Sequence, residues 1–402
     1  MSNTQTKNVP ELRFSGFEGE YSLDIFGNLA TNKSEKFNPQ NENASIDIEL
    51  DCIEQNTGRL IKIYNSKEFS SQKNKFNPQN VLYGKLRPYL NKYYFTKKSG
   101  VCSSEIWVLK STKEDKLLNL FLYYFIQTKR YSDVASKSAG SKMPRADWGL
   151  IENIRVYFPE LCEQQKIGQF FSKLDRQIEL EEQKLELLQQ QKKGYMQKIF
   201  SQELRFKDEN GNDYPDWEEK QLGELSQIVR GASPRPIKDP KWFNKESDIG
   251  WLRISDVTNQ NGKIYHLEQK LSIEGQEKTR VLVTTHLLLS IAASIGKPVM
   301  NFVKTGVHDG FLIFLNPKFN LFFMYYWLEY FKDKWSKYGQ PGSQVNLNTE
   351  IVKSQTLNMP SNHEQEKVGQ FFNRNEKLIE LQQEKIMYLK RRKQVLLQKM
   401  FI

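Results

Sequence analysis

Residues 159–200 recur without a gap at 360–401, and the offset of 201 residues is half of a 402-residue chain. The first copy opens Pro159-Glu160-Leu161-Cys162-Glu163-Gln164-Gln165-Lys166-Ile167-Gly168-Gln169-Phe170-Phe171. The second opens Pro360-Ser361-Asn362-His363-Glu364-Gln365-Glu366-Lys367-Val368-Gly369-Gln370-Phe371-Phe372. Counted over the whole stretch, 17 of 42 positions are identical. A repeat of that length and spacing means that both halves fold on one plan. Each copy also carries a heptad seam. Steps of four and three give Ile167, Phe171, Leu174, Ile178, Leu185 and Leu188 in the first, and Val368, Phe372, Ile379, Ile386 and Leu389 in the second. An apolar stripe sustained over four heptads predicts a coiled coil, and forty helical residues make a rod of about 60 Å.

Both seams turn polar at matching steps, Glu181 with Gln382 and Lys192 with Lys393. Matched polar positions fix register, so the two copies are expected to pack on each other, antiparallel. The competing reading is two separate amphipathic helices, each lying on its own globule. Gly168 and Gly369 occupy equivalent helical positions. A glycine there costs about 1 kcal/mol relative to alanine, so each predicts a close backbone approach or a bend. Ser361 with Glu364 has the spacing of a capping box. The basic run Lys390–Lys393 fits either a partner or the negative end of a helix dipole.

Outside the repeat the chain reads as globule, helix, globule, helix. The boundaries are an entry segment 1–20, a first globule 21–158, a central helical region 159–206, a second globule 207–359 and a C-terminal helical region 360–402. The tetrad Glu-Leu-Arg-Phe stands at 11–14 and again at 203–206, before a polar, glycine-bearing stretch in each case. Short β-type runs are expected at 46–50, 60–64, 81–83, 106–109 and 154–158, and again at 249–254, 287–290, 311–315 and 355–359. Helices are expected at Leu117–Tyr131 and Leu321–Lys332. The six-residue repeat at 36–41 and 75–80 reads as two turns. The fold class is α+β: two globules of mixed strands and helices, separated by two long helices that form an antiparallel coiled coil, with internal pseudo-two-fold duplication.

The chain carries 59 Lys and Arg against 48 Asp and Glu, a formal charge of +11. That balance favours a polyanionic partner such as nucleic acid, although a merely basic soluble protein has the same balance. Three distant cysteines and four scattered histidines have no metal-ligand spacing and suit a reducing, cytoplasmic setting. No apolar run is long enough to span a membrane. A phosphate-binding Gly-x4-Gly-Lys-Ser/Thr loop is not found: Ser294-Ile295-Gly296-Lys297-Pro298 lacks the first glycine and the hydroxyl. Asn38-Pro39-Gln40-Asn41 and Asn77-Pro78-Gln79-Asn80 lack the second proline and the aromatic of an amino-methyltransferase motif. Asp216, Glu218 and Lys220 lie too close along the chain for a nuclease core. The expectation is that the chain catalyses nothing by itself and binds no metal.

DNA-contact chemistry is present instead. Arginine bonds guanine edges and phosphates, and Asn and Gln bond adenine. Two equivalent polar loops carry Ser141, Lys142 and Arg145 in the first globule and Gln340, Ser343, Gln344, Asn346 and Asn348 in the second. A second pair of equivalent turns holds Lys85 and Arg87, and Lys297. Arg230, Arg235 and Arg253 add basic groups early in the second globule. The bland reading of each is solvated surface.

Two differing globules, two like helices, the repeated Pro-x3-Glu-Gln-x-Lys-Ile/Val-Gly-Gln-Phe-Phe, the Glu-Leu-Arg-Phe entry and the turns Gly84-Lys85-Leu86-Arg87-Pro88 and Ala293-Ser294-Ile295-Gly296-Lys297-Pro298 together resemble the specificity subunit of type I restriction–modification enzymes. The resemblance covers essentially the whole chain. It implies that each globule is a target-recognition domain for one half of a bipartite double-stranded DNA site. It implies that the helices set the spacer and dock methyltransferase subunits. It further implies a complex with two modification and two restriction/translocase subunits, in which S-adenosylmethionine, ATP and Mg belong to those partners and no cofactor to this chain. The resemblance carries no catalytic residue. Rival readings are a self-contained restriction–methylation enzyme and a coiled-coil scaffold that binds proteins.

Overall fold

The computed structural model describes residues 8–43, 45–137, 142–292, 294–338 and 347–402. The chain divides into two compact units, residues 1–183 with 383–402, and residues 184–382. The division falls inside both long helices, Leu161–Phe200 and Asn362–Met400, so each unit holds one globule and half of each helix.

In the first unit a four-stranded antiparallel sheet runs in the order Ala30–Thr31, Ile106–Ser111, Val81–Gly84, Tyr93–Phe95. A five-stranded sheet adds Lys36–Phe37, Lys73–Phe76, Gly100–Cys102, Ile46–Ile48 and Tyr64–Asn65. In the second unit the main sheet runs Gln227–Arg230, Phe311–Leu315, Leu287–Ser290, Pro298–Asn301, Lys263–Ile264, and a three-stranded sheet joins Gly250–Trp251, Thr305–Val307 and Arg280–Leu282. The central strands are apolar at nearly every position because both faces are covered. Period-2 alternation sends Leu287, Leu289, Leu312 and Phe314 to one core and Leu288, Phe311 and Ile313 to another. The first unit repeats this, with Val81, Tyr83, Trp107 and Leu109 on one side and Leu82, Ile106 and Val108 on the other.

The repeated residues do the same work in each unit. Buried Glu163 accepts from Arg13 Nε and Nη2, at 2.9 and 2.7 Å, and from the Tyr21 hydroxyl at 3.1 Å. Buried Glu364 accepts from Arg205 Nε and Nη2, at 3.3 and 2.8 Å, and from Trp217 Nε1 at 3.0 Å. Gln164 accepts from the Leu118 N–H and donates to the Pro159 carbonyl; Gln365 does so with Asn320 and Pro360. The Glu-Leu-Arg-Phe tetrads are therefore clasps on the helices. The Leu12 N–H bonds the Lys399 carbonyl, and the Leu204 N–H bonds the Lys198 carbonyl. Each globule closes with a two-stranded ladder, Ser22–Ile25 with Arg155–Phe158 and Glu218–Gln221 with Thr356–Met359.

The helices pair with each other, as expected, and each also packs on a globule. In the first unit Phe171 meets Phe401, Lys393 pairs with Asp175 at 2.6 Å and Lys385 with Glu181 at 2.5 Å. One number rises as the other falls, so the segments are antiparallel. In the second unit Phe200 stacks on Phe372 and Lys192 pairs with Glu376 at 3.5 Å, in the same register. The polar seam lysines are thus one arm of interhelical ion pairs. Ile167, Phe171, Leu174 and Ile178 are buried in the first globule's core; Val368 and Phe372 are buried in the second's. Ile386 and Leu389 are also buried, while Leu185, Leu188 and Ile379 are half-buried. An alanine methyl at Gly168 would lie 2.7 Å from Leu120 Cγ, and one at Gly369 3.0 Å from the Phe323 backbone nitrogen. Close approach of the globule, rather than a bend, is what these glycines permit.

Several local expectations need correction. The run 60–64 is mostly not strand: Ile61 and Ile63 are exposed, and Tyr64 alone of that run enters a ladder, as Tyr64–Asn65. The run 249–254 gives only the strand Gly250–Trp251. Arg253 then starts the helix Ile254–Asn259, its N–H bonding the Asp256 carboxylate. The expected helix Leu117–Tyr131 is two, Asn119–Phe125 and Lys129–Ala135, with the Thr128 hydroxyl donating to the Phe125 carbonyl at the break. The hexapeptide repeat is a strand end followed by a turn, since Lys36 and Phe37 pair with Asn74 and Lys73. Only half of the capping box forms. The Ser361 hydroxyl accepts from the Glu364 N–H, but the Glu364 carboxylate is taken by Arg205 and Trp217.

Candidate nucleic-acid interface

In the first globule the fold joins the two candidate loops. After strand Val81–Gly84 the chain turns through Arg87, at φ 52°. The Lys85 N–H bonds the Glu105 carbonyl, the Arg87 N–H bonds the Pro144 carbonyl, and the Ala146 N–H bonds the Lys85 carbonyl. Leu86 and Arg145 form a bridge. Lys85, Arg87 and Arg145 thus share one small ladder, with exposed Lys142 on the approach to it. Arg145 makes a forked contact with Glu105, Nε to Oε2 at 2.9 Å and Nη2 to Oε1 at 3.0 Å. This contact holds the Glu105 carboxyl below the usual range. Ser141 lies outside the described residues.

In the second globule a different set converges. Asp309 follows strand Thr305–Val307 and precedes strand Phe311–Leu315. Its carboxylate accepts from the Ser233 hydroxyl at 2.7 Å and from Arg235 Nη2 at 2.8 Å, and its carbonyl accepts from Arg230 Nε at 2.6 Å. Arg280 Nε donates to the Arg230 carbonyl at 2.7 Å. Arg230, Arg235 and Arg280 are all exposed. Partial burial opposes ionisation of Asp309, but Ser233, Arg235, His308 and Arg230 outweigh it and hold the carboxyl below its ordinary value. Neighbouring His308, burial of which lowers its pKa, packs between Trp251 and Phe311.

The remaining candidates have other partners. Arg253 is bound by Asp256 and Glu268. Lys297 is half-buried; burial and then Lys332 lower its pKa, and its amine faces Asn261 at 3.4 Å. It sits in the connection between strands Leu287–Ser290 and Pro298–Asn301, which matches the Lys85–Arg87 connection in the first unit. Asn348 caps the helix Thr349–Lys353 through the Ile351 N–H. Gln340, Ser343, Gln344 and Asn346 lie outside the described residues. Ser233, Arg280, Glu105 and Asp309 were not singled out from sequence. Their partners are 40 to 79 residues away along the chain, and the one local signal is an acidic residue just before an apolar strand. Among the described residues no group of three His, Cys, Asp or Glu side chains could hold a metal ion. No helix among them is long and apolar enough to cross a membrane.

Leu180, Met387, Tyr388 and Val395 are exposed on the helices in the first unit, and Leu187, Leu378 and Leu381 in the second.

A family model described as the type I restriction modification DNA specificity domain matches residues 21–190 and 214–391. The MjaVIII type I restriction enzyme specificity subunit of Methanocaldococcus jannaschii is 26% identical over 315 residues, which is 71% of this chain and 70% of that protein. A chain from structures of complex assembly and conformational transition of the type I R-M system is similar at TM-score 0.61 and 18% identity, over 94% of this chain and 97% of its own. The type I S subunit from M. genitalium is similar at TM-score 0.57 and 14% identity, over 98% and 99%. At these identities the structural matches speak to the fold.

Proposed function

The chain belongs to the type I restriction–modification DNA specificity family, and from that premise we propose that its two globules each read one half of a bipartite double-stranded DNA site. The chain is a non-catalytic DNA sequence-specificity subunit of a type I restriction–modification system. The observation that carries the bipartite reading is the duplicated frame with unlike contents. The clasps Arg13–Glu163 and Arg205–Glu364 match, whereas the basic clusters at the ends of the two main sheets are built from different residues. In this reading Lys85, Arg87, Lys142 and Arg145, with Ser141, serve the first half-site. Arg230 and Arg235 serve the second, together with Gln340, Ser343, Gln344 and Asn346. Arg253, Lys297 and Asn348 contribute mainly to the globule itself, through the contacts already described.

The long helices set the spacer between half-sites, and their exposed apolar residues dock two modification subunits, one on each repeat. Two restriction/translocase subunits complete the assembly, which works in the cytoplasm. S-adenosylmethionine, ATP and Mg belong to those partners. Sequencing of methylated positions in a host that expresses this chain with its modification subunit tests the reading. A split motif whose methylation requires both chains is expected. Methyl transfer by the purified chain alone, given S-adenosylmethionine and that DNA, contradicts it.

A further inference from the structure

Each globule holds an exposed arginine against a carboxylate at the entrance to the same strand of its main sheet. In the first unit Ile106 pairs with Gly84, and in the second Phe311 pairs with Ser290, at corresponding points of the two sheets. Glu105 directly precedes Ile106 and holds Arg145; Asp309 stands two residues before Phe311 and holds Arg235. The arginines come from unrelated loops, one late in its globule and one early, so the duplication did not hand down the pair as a unit. What is common is the location and the chemistry.

The second pair shows why the arrangement suits recognition. Arg235 is 71% exposed, so its ion pair with Asp309 is screened and adds little to stability. The Asp309 carboxylate is itself fixed: one oxygen takes the Ser233 hydroxyl, and the Asp309 N–H returns a bond to Ser233 Oγ at 3.2 Å. The backbone behind it is also tied, with Ala232 N–H to the Val307 carbonyl and Gly231 N–H to the Phe311 carbonyl. Asp309 engages one N–H of a guanidinium that carries five. Arg230 is held through Nε by the Asp309 carbonyl, and Arg280 through Nε by the Arg230 carbonyl. Two guanidinium groups are therefore held by the Asp309 turn, and a third by the Arg230 backbone beside it. A flexible arginine loses rotamer entropy on binding, and a clamped one has lost most of it beforehand.

We propose that Asp309 is a positioning residue that presents Arg235 to the O6 and N7 edge of a guanine in the second half-site, with Arg230 and Arg280 on the flanking phosphates. The inference rests on the DNA-specificity reading above and adds to it which base is read, and by which side chain. Glu105 and Arg145 are the corresponding device for the first half-site.

The test uses the chain in complex with its modification subunit, and selection of bound duplexes from a library randomised in both half-sites. The wild-type complex first gives the reference motif; failure to select any motif defeats the DNA-specificity reading rather than this one. R235A and R235K are then expected to lose preference for one guanine of the second half-site by about tenfold to a hundredfold, because lysine cannot reproduce the fork. D309N, which keeps the shape but not the charge, is expected to weaken the same preference, with D309E restoring part of it. R280A is expected to lower affinity uniformly and to reduce the salt slope by about one. The first half-site serves as an internal control that the complex is folded. An unaltered motif in R235A and R235K, or a uniform loss in them, overturns the assignment to guanine. A D309N motif identical to wild type overturns the positioning role.

Discussion

Glu376 is 4% exposed and receives Lys263 at 2.6 Å, Lys192 at 3.5 Å and the Tyr326 hydroxyl at 2.6 Å. Burial raises its pKa, yet Lys192, Lys263 and the Tyr326 hydroxyl outweigh burial and leave the group below its ordinary value. A depressed folded pKa stabilises above the unfolded value, near 4.3, and that stability is lost as pH falls through the folded value. The E376Q chain leaves the buried Lys263 ammonium without its carboxylate, whereas half-buried Lys192 keeps Glu329 at 3.0 Å, and it is expected to lose roughly 3–5 kcal/mol, read as a urea midpoint by tryptophan fluorescence. Its stability should also change less than the wild type's below about pH 4. E380Q, which removes an exposed pair with Lys377, is expected to change stability by about 1 kcal/mol or less. Equal effects of the two substitutions would deny Glu376 its central place. The sequence exposes Lys192 and Lys393 as polar breaks in an apolar seam. It does not expose Lys263 or Tyr326, because those side chains arrive from the globule and their separation along the chain carries no periodic signal.

At the scale of elements, three glycines in the long helices give opposite expectations. A methyl group at Gly194 would meet no atom within 4 Å, so G194A should gain about 1 kcal/mol from helix propensity alone. G168A must displace Leu120, and G369A meets both Phe322 and the Phe323 backbone. Overpacking there costs roughly 1–3 kcal/mol and exceeds the propensity gain. Thermal melts should therefore move up for the first and down for the other two, with G369A at least as damaging as G168A since backbone cannot step aside. A rise for all three would mean that globule and helix are not packed closely. The helices and their antiparallel pairing are legible because a 3.5-residue period is a local signal and the repeat doubles it, whereas the choice between close approach and a bend at Gly168 and Gly369 needs the globule's side chains. The strands at 81–84, 287–290 and 311–315 were legible because both faces are buried. The run 60–64 misled because β-branched Ile61 and Ile63 have strand propensity but face solvent.

Across the whole molecule, labour is divided between sameness and difference. What the two units share is the clasp of Arg13 on Glu163 and of Arg205 on Glu364, and the like helices. What they do not share is the set of basic side chains at the end of each main sheet. Those side chains are only partly legible: Arg145 stands out in a polar loop and Arg230 and Arg235 as basic residues early in the second globule, but their acidic partners do not. Removing one heptad from each long helix should shift the recognised spacer by about three base pairs, since seven residues rise roughly 10 Å and a base pair about 3.4 Å. An unchanged spacer rejects the helices as a ruler.

The most direct measurement replaces residues 21–158 with the first globule of another member of the family and sequences the methylated sites made with the unchanged modification subunit. Two independent readers on one shared frame predict a motif altered in one half-site only, with the other half-site intact. A motif altered in both halves, or in neither, contradicts them.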